Sequence, residues 1–546
     1  MHDPQTGLGL HIPPVDLAII VVYLVGITTA GLWSVRKVKM TGSAYFLAGR
    51  SLRWPVVGAA LFAANISSIH LVGLAASGYK EGFVWGNFEW MAVFTLILLS
   101  LVFAPFYFRT RIATLPEYLE RRYNAAARTI LAVMAILAAL LIHIGMSMYA
   151  GAMVFKEFFG LDVTTSIVII ALITAVYTVL GGLRAVMITE TIQSVLLIGS
   201  AITVTTFAIL ALPGAGIHSL TEFKAALKPD QLSMLLPAGR GDGLGWLPFV
   251  LGFPVLGIWY WCTDQTIVQR VLGAGSENDA QKGALFAGLL KVLPVFILVF
   301  PGVCGYVLFK DKIGADANQT LPVLINTLVP TGIKGLIAAG LLASLMSAIA
   351  AASNSCATLV AVDIVRWVKP ATSDHAQVVI GRIAAVAVML LAMAWSTQGG
   401  RYSSIFEAIN AIAAFIAPPI TTCFLWGVFW KRGTTPAAIA TLVAGALMGI
   451  AGFLVDFPVV GKIKLLTTAC GIPMLMQAWW GFVICSTIYF VTSCCTAAPP
   501  PEKIQGLTWN SPLEVIFHGK LRGWSDPRVL GGLLLALMVV LYVVFR

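Results

Sequence analysis

Long runs of apolar residues, separated by short polar segments, follow one another along the whole chain. Runs such as 17–33 and 129–153 are apolar at nearly every position, and each is about as long as a helix that crosses a hydrocarbon core of roughly 30 Å. Strands of a membrane barrel would instead alternate polar and apolar residues over about 10 positions. The pattern therefore predicts an all-α polytopic membrane protein. We place about fourteen transmembrane helices near residues 15–35, 53–78, 85–108, 124–155, 162–182, 186–212, 244–269, 283–309, 333–364, 377–398, 404–430, 435–455, 472–497 and 527–545.

The composition of the 546-residue chain agrees with this pattern, because 59% of the residues are hydrophobic, 11% are charged and the mean hydropathy is +0.90. Soluble proteins contain about 25% charged residues. The composition thus excludes a soluble, disordered or collagen-like protein. The first apolar run has no basic segment before it and no small-residue cleavage site after it, so we expect it to be a retained span.

Lysine and arginine are distributed unevenly between the two sets of alternating connections. One set holds 22 of the 35 basic residues, the other holds 12, and Lys291 falls within a span. Because basic loops stay in the cytoplasm, we expect the richer set to be cytoplasmic and both termini to lie outside a plasma or bacterial inner membrane. The bias explains the net charge of +11, so we expect the lipid bilayer, and no nucleic acid, as a partner.

Two spans contain features that are unusual in plain membrane helices. The second contains four polar residues between Asn65 and His70, and the seventh contains Pro248 and Pro254 before an aromatic and polar cluster at 259–265. Such features typically mark an unwound segment or an internal cavity, although ordinary hydrogen bonds between helices are the alternative for the second span. Broken helices five spans apart are expected when two inverted repeats surround a site near the middle of the membrane.

Charged and titratable residues within spans are costly and need partners. Glu89 and Lys291 lie in apolar surroundings and would satisfy each other across a cavity, either in a binding site or as a purely structural ion pair. His70 is open to two interpretations, as a ligand contact or as a satisfied interior histidine. For His143 we expect only a structural role.

Other acidic residues lie nearer the ends of the predicted spans. Glu190 and Asp363 are interpreted as candidates for the cytoplasmic interface, and Asp264 as an interfacial or capping group. The apolar runs contain no motif with the spacing of metal ligands and no pairing of nucleophile and base, so we do not expect an enzyme.

Specific sequence blocks occur in order between about residues 45 and 432: YFLAGRS at 45–51, FEW at 88–90, TLPEYL at 114–119, GGLRAV at 181–186, WYWCTDQ at 259–265 and FWKR at 429–432. In these blocks the chain resembles the sodium:solute symporter family, and within it the sodium/glucose cotransporter branch. The resemblance implies a LeuT-like core of two inverted five-helix repeats, with the second and seventh spans broken. The repeats would cover 53–212 and 244–432. They would be flanked by residues 1–52 (outer N-terminus, first span and basic cytoplasmic loop), the outer loop 213–243, and the peripheral helices 433–546 with the inner loop 498–526.

The resemblance also implies a solute site between the broken helices. Polar contacts would come from Asn65, His70, Glu89 and Lys291, aromatic walls from Phe88 and Trp261, a gate from Tyr260, and an amide from Asn410. Two positions differ from sugar-transporting relatives, which usually carry Gln where Asn410 stands and a polar side chain where Gly257 stands. We therefore expect a sugar-like pocket that is enlarged or re-aimed.

For the coupling ion, the resemblance implies a sodium site made by carbonyl oxygens in the second and ninth spans and by two adjacent hydroxyls. The matching positions are Ala63, Ile66, Ser344 and Ser347, with Glu190 nearby. The second hydroxyl is missing at Ala348, and relatives usually carry Asp where Glu190 stands. Because a hard cation takes about six oxygens, either Glu190 or water completes the site, or the site binds a proton.

Taken together, the resemblance implies a secondary active symporter that couples inward sodium movement to uptake of a monosaccharide or polyol, such as glucose, galactose or inositol, by alternating access. A proton-coupled sugar symporter and a sugar sensor on the same fold are the alternatives. We expect no organic cofactor, and a monomer or weak oligomer.

Overall fold

The computed structural model describes residues 13–160, 162–240, 243–398, 405–456, 464–509, 514, 521 and 523–546, and nearly all of this chain is helical. Among these residues, 12 helices are long and apolar enough to cross a membrane, and a bent pair forms a further span. The protein is thus a multi-pass membrane protein, and each predicted span has a helical counterpart. In order, the spans are Pro14–Val35; Trp54–Asn65 with Ser68–Lys80; Asn87–Leu98, Leu99–Phe103 and Ala104–Thr110; Ala125–Ala138, Ala139–Met146 and Ser147–Phe159; Val163–Ala211, which holds the fifth and sixth; Trp246–Gly257, Ile258–Thr263 and Gln265–Leu272; Glu277–Leu290, Val295–Val299 and Phe300–Ile313; Ile333–Thr358 with Leu359–Val365; Asp374–Ser396; Ile405–Phe429; Thr435–Asp456; Met474–Cys495; and Pro527–Val544.

The fifth and sixth spans are joined at Gly182 without a loop. A straight helix of the 49 residues Val163–Ala211 would be about 74 Å long, more than twice the thickness of a hydrocarbon core. Gly182 interrupts it with φ 60° and ψ −160°, a conformation that favours glycine. The carbonyl of Val179 accepts from the Tyr45 hydroxyl at 3.0 Å and that of Leu180 accepts from Arg382 at 3.3 Å. These side chains cap the end of the fifth span, which agrees with the two spans predicted there.

The ninth span is the central helix of the bundle. Its most apolar stretch is 94% buried within the protein, whereas the corresponding stretches of the first, twelfth and last spans are only 22% buried. Small residues such as Ala, Ser and Gly make up most of Ile333–Thr358, so neighbouring helices approach it closely. The first, twelfth and last spans expose their apolar residues outward, as helices in contact with lipid do.

The outer half of the second span packs closely on the eighth span through two glycines. A Cβ on Gly78 would meet the carbonyl of Val299, and a Cβ on Gly302 would meet the carbonyl of Ala75. Each glycine therefore lets the backbone of one helix touch that of the other. This contact holds Ser68–Lys80 against the helix that follows Lys291, and so brings two elements of the predicted site together.

Candidate binding site for solute and ion

The second span breaks where its polar residues lie. Ile66 and Ser67 have extended backbone conformations, and the two half-helices are bent by 62°. The Ser67 backbone N–H donates to Nδ1 of His70 at 3.3 Å, so the imidazole caps the second half-helix. Because Nδ1 accepts, the proton of a neutral His70 ring lies on Nε2, which is 3.9 Å from a carboxylate oxygen of Glu89. His70 therefore supports the helix break and also faces the acid.

The seventh span is also discontinuous, but the break lies beyond its prolines. The helix continues through Pro254 to Gly257 and, as a π-helix, to Thr263; the backbone becomes extended at Asp264, with φ −81° and ψ 125°. Pro248 lies in the first turn, where it removes no helical hydrogen bond, and membrane helices tolerate Pro254. The Asp264 carboxylate caps the following half-helix by accepting from the Thr266 N–H at 2.6 Å. The capping interpretation of Asp264 thus agrees with its geometry.

Glu89 and Lys291 form an ion pair in the protein interior. The Lys291 ammonium donates to a Glu89 oxygen at 2.5 Å, and their side chains are only 1% and 2% exposed. The ammonium also donates to the side-chain oxygen of Asn65 and lies 5.3 Å from the centre of the Trp261 ring. Lys291 ends the helix Glu277–Leu290, three residues before Pro294. The pair therefore links the third and eighth spans to the break in the second.

Aromatic rings surround this polar cluster. The Tyr260 hydroxyl accepts from the Asn65 amide at 3.0 Å, so it bridges the second and seventh spans. Its ring centre is 5.1 Å from that of Trp261. Phe88 stacks on Trp85 with ring centres 5.5 Å apart and contacts Phe249 and Phe253 edge-on. The rings supply flat apolar walls beside hydrogen-bonding groups.

A cavity of about 820 Å³, with its opening included, lies between these groups. Small-molecule sites typically have volumes of about 300–1,000 Å³. All eight predicted solute-contacting residues line it, and so do Gly257 and Ala348. Those eight residues are Asn65, His70, Phe88, Glu89, Tyr260, Trp261, Lys291 and Asn410.

Sequence reasoning missed part of the cavity wall. His143 and Ser147, one turn apart in the fourth span, line the cavity, as do Trp259 and Phe253. His143 was assigned only a structural role, yet its Nε2 lies 3.0 Å from Asp264. A lone histidine in an apolar run gives no signal of this kind, because its partner is 121 residues away. Trp259 stood within the recognised aromatic block and was therefore open to detection.

The wall beside Gly257 is filled rather than open. A Cβ at this position would lie 2.7 Å from the methyl group of Thr95 and 2.9 Å from the ring of Phe253. The expected enlargement of the pocket is therefore absent on this side. The missing polar side chain re-aims the wall, because Thr95 turns its hydroxyl to the carbonyl of Ala92 at 2.9 Å.

The predicted ion-binding residues lie on helices that pack together beside the cavity. Ala63 is in the last turn before the second-span break and Ile66 is at the break, so carbonyl groups there have no following helical turn to accept from. Ser344 and Ser347 are buried in the ninth span, and the Ser347 hydroxyl has no hydrogen-bond partner among the described residues. Ala348 follows it and lines the cavity.

The interfacial interpretation of Glu190 and Asp363 is wrong, because both are at most 1% exposed. Glu190 accepts from two nitrogens of Arg270, one of them at 3.0 Å. Asp363 accepts from Arg128 and from Thr114, both at 2.7 Å. Buried carboxylates need such partners, and here the partners come from helices that are distant in sequence.

Comparison with known proteins shows what the chain is similar to. A model of the sodium:solute symporter family matches residues 45–445. The sodium/myo-inositol cotransporter 2 of Oryctolagus cuniculus is 34% identical over 93% of this chain and 80% of its own length. The sodium/glucose cotransporter 1 of the same organism is 32% identical over 91% of this chain and 81% of its own length. Both relatives carry the names of transporters.

Two solved structures share the fold. A Na⁺-coupled sialic acid symporter superposes with a TM-score of 0.75 at 22% identity, covering 89% of this chain and 99% of that one. The nucleobase-cation-symport-1 family transporter Mhp1 superposes with a TM-score of 0.52 at 15% identity, covering 84% and 97%. The LeuT-like fold with broken second and seventh spans is thus confirmed. Because the family model spans most of the chain and the relatives align along nearly all of it, the chain belongs to the sodium:solute symporter family.

Proposed function

We propose that this protein is a secondary active symporter that couples inward sodium movement to uptake of a neutral monosaccharide or polyol. The observation that carries the proposal is the cavity at the two helix breaks, where Glu89, Lys291, Asn65 and His70 converge beside aromatic rings. The names of the relatives, which specify myo-inositol and glucose, support the solute class.

The groups in the cavity suit a molecule with many hydroxyls. Each buried hydroxyl needs a hydrogen-bond donor or acceptor, and the carboxylate, ammonium and amide groups supply both kinds. Phe88, Trp261 and Tyr260 offer apolar faces for the C–H surface of a sugar or polyol ring. Asn410 lies on the opposite wall and would contact the solute through its amide. Charge balance between Glu89 and Lys291 favours a neutral solute.

Sodium would bind next to the solute, between the second-span break and the ninth span. Carbonyls of Ala63, Ile66 and Ser344 and the unpartnered hydroxyl of Ser347 would be its ligands. Glu190 already accepts from Arg270, so in this conformation both of its oxygens are engaged. We infer that water takes the place left by the hydroxyl missing at Ala348.

The Tyr260–Asn65 hydrogen bond would serve as a gate, because it joins the two broken helices that border the cavity. Ion binding at the second-span break would favour the conformation that binds solute. By linkage, the solute would raise the affinity for the ion by the same factor. The positive-inside bias supports an orientation with both termini outside.

A proton-coupled symporter is the second candidate, and Ala348 favours it because a site with one hydroxyl fewer is a poorer sodium site. One experiment separates the candidates: uptake of labelled hexoses and myo-inositol into proteoliposomes, under inward sodium or proton gradients imposed separately. Accumulation above equilibrium with sodium alone is the expected result. Accumulation with protons alone would replace sodium as the coupling ion. Solute binding without accumulation would favour a sugar sensor.

A further inference from the structure

His143 occupies a distinctive place in the fourth span. It lies in the π-helical stretch Ala139–Met146, between two α-helical segments, and π-helical turns within α-helices are frequent at functional sites. The residue lines the cavity together with Ser147, one turn later. Its ring is nearly parallel to that of Trp259, with centres 6.4 Å apart, and lies 5.6 Å from the ring of Tyr260. The imidazole is thus held between the seventh span and the cavity.

The hydrogen bond of this imidazole ends at the break in the seventh span. His143 Nε2 lies 3.0 Å from Asp264, and both side chains are buried. A carboxylate only accepts, so Nε2 donates and Nδ1 of a neutral ring keeps its lone pair. The other oxygen of Asp264 accepts from Thr266, in the first turn of the half-helix that follows. One carboxylate therefore contacts both the cavity wall and the start of a half-helix.

We propose that His143 is a further substrate-contacting residue, and that its hydrogen bond to Asp264 links occupation of the cavity to the break in the seventh span. This inference rests on the proposed function, because it concerns the same solute site. A solute hydroxyl that bonds the His143 ring would change the position of the ring on Asp264. Asp264 is a positioning residue, since it acts on the half-helix Gln265–Leu272 and not on the solute.

The test compares variants of the full chain in proteoliposomes, with labelled myo-inositol and α-methylglucoside as probes. His143→Leu removes the donor and is expected to raise the solute KM about tenfold, the size expected for a lost hydrogen bond to a charged or solute group. The size of the change should differ between the two solutes. His143→Gln keeps an N–H group and should restore KM to within about threefold of the unsubstituted protein. Asp264→Asn should lower kcat more than it raises KM. The control is His375→Gln, which changes an exposed histidine.

An unchanged KM and unchanged solute preference in His143→Leu would overturn the proposal, even if kcat falls, because that result describes structural support alone. If His143→Leu does not fold, His143→Asn replaces it. The shorter amide should not reach Asp264, so equal KM values for the Asn and Gln variants would also overturn the proposal. Failure of the unsubstituted protein to accumulate either solute would refute the proposed function instead.

Discussion

Replacing Lys291 by methionine would test the polar centre of the cavity most directly. The substitution keeps most of the side-chain volume but removes the ammonium that donates to Glu89 and Asn65. Breaking a buried ion pair costs about 3–5 kcal/mol, because the remaining charge stays buried without its partner. We expect this cost to appear mainly as a lower unfolding temperature of the empty transporter.

The effect of Lys291→Met on solute binding follows from the hydrogen bonds that the ammonium can offer. A hydrogen bond to a charged group contributes about 1.5–3 kcal/mol, which corresponds to an increase of about 10- to 150-fold in Kd. The measurement is equilibrium binding of labelled myo-inositol to the purified protein in nanodiscs. Glu89→Gln and the double variant complete a cycle, and we expect the two single effects not to add, because the groups are in contact.

Lys310→Met is the matched control, since it removes an exposed lysine from the same span and should leave Kd unchanged. A Kd for Lys291→Met within twofold of the unsubstituted value, in protein that is correctly folded, would refute the reasoning. The Glu89–Lys291 pair would then be structural only.

Three further substitutions address the ion site, the gate and the turn between the fifth and sixth spans. Ala348→Ser should lower the sodium concentration for half-maximal uptake about fivefold, the equivalent of about 1 kcal/mol, and an unchanged value would argue against a missing ligand. Tyr260→Phe keeps the ring but loses the hydroxyl bond, so solute exchange should be about two- to tenfold faster; unaltered exchange would exclude the gate role. Gly182→Ala should destabilise the protein by about 1–3 kcal/mol in thermal unfolding, because its positive φ is strained for alanine and the new Cβ would meet Tyr45. Gly199→Ala, with open space around it, should show no such loss, and equal unfolding temperatures would contradict the argument.

The spans and the break in the second span were predictable because they depend on local sequence. Apolar length alone identifies a membrane helix, and four polar residues near Asn65 identify an unfavourable stretch in it. The break at Asp264 was harder to place. Prolines are the most visible helix breakers in a sequence, but Pro254 stays helical and the aspartate begins the next half-helix. The seventh-span break was therefore expected too early in the chain.

The partners of buried charges were predictable only in part. Glu89 and Lys291 stood out because each lies deep in an apolar run, so pairing them needed no knowledge of the fold. Glu190 and His143 gave no such signal, because their partners, Arg270 and Asp264, belong to another span that the fold brings near. The family resemblance supplied the remaining residues of the cavity, which no local pattern distinguishes from ordinary packing.

The loop-free turn at Gly182 has a mechanical consequence. Two helices joined by a flexible loop can tilt independently, whereas here a single residue carries the whole change of direction between the fifth and sixth spans. Any rotation of the sixth span during transport must therefore pass to the fifth span or be absorbed by two torsion angles. Glycine has the widest range of backbone torsions, so it can act as a pivot. The Tyr45 and Arg382 side chains that hold the carbonyls before the turn would then set how far the pivot swings.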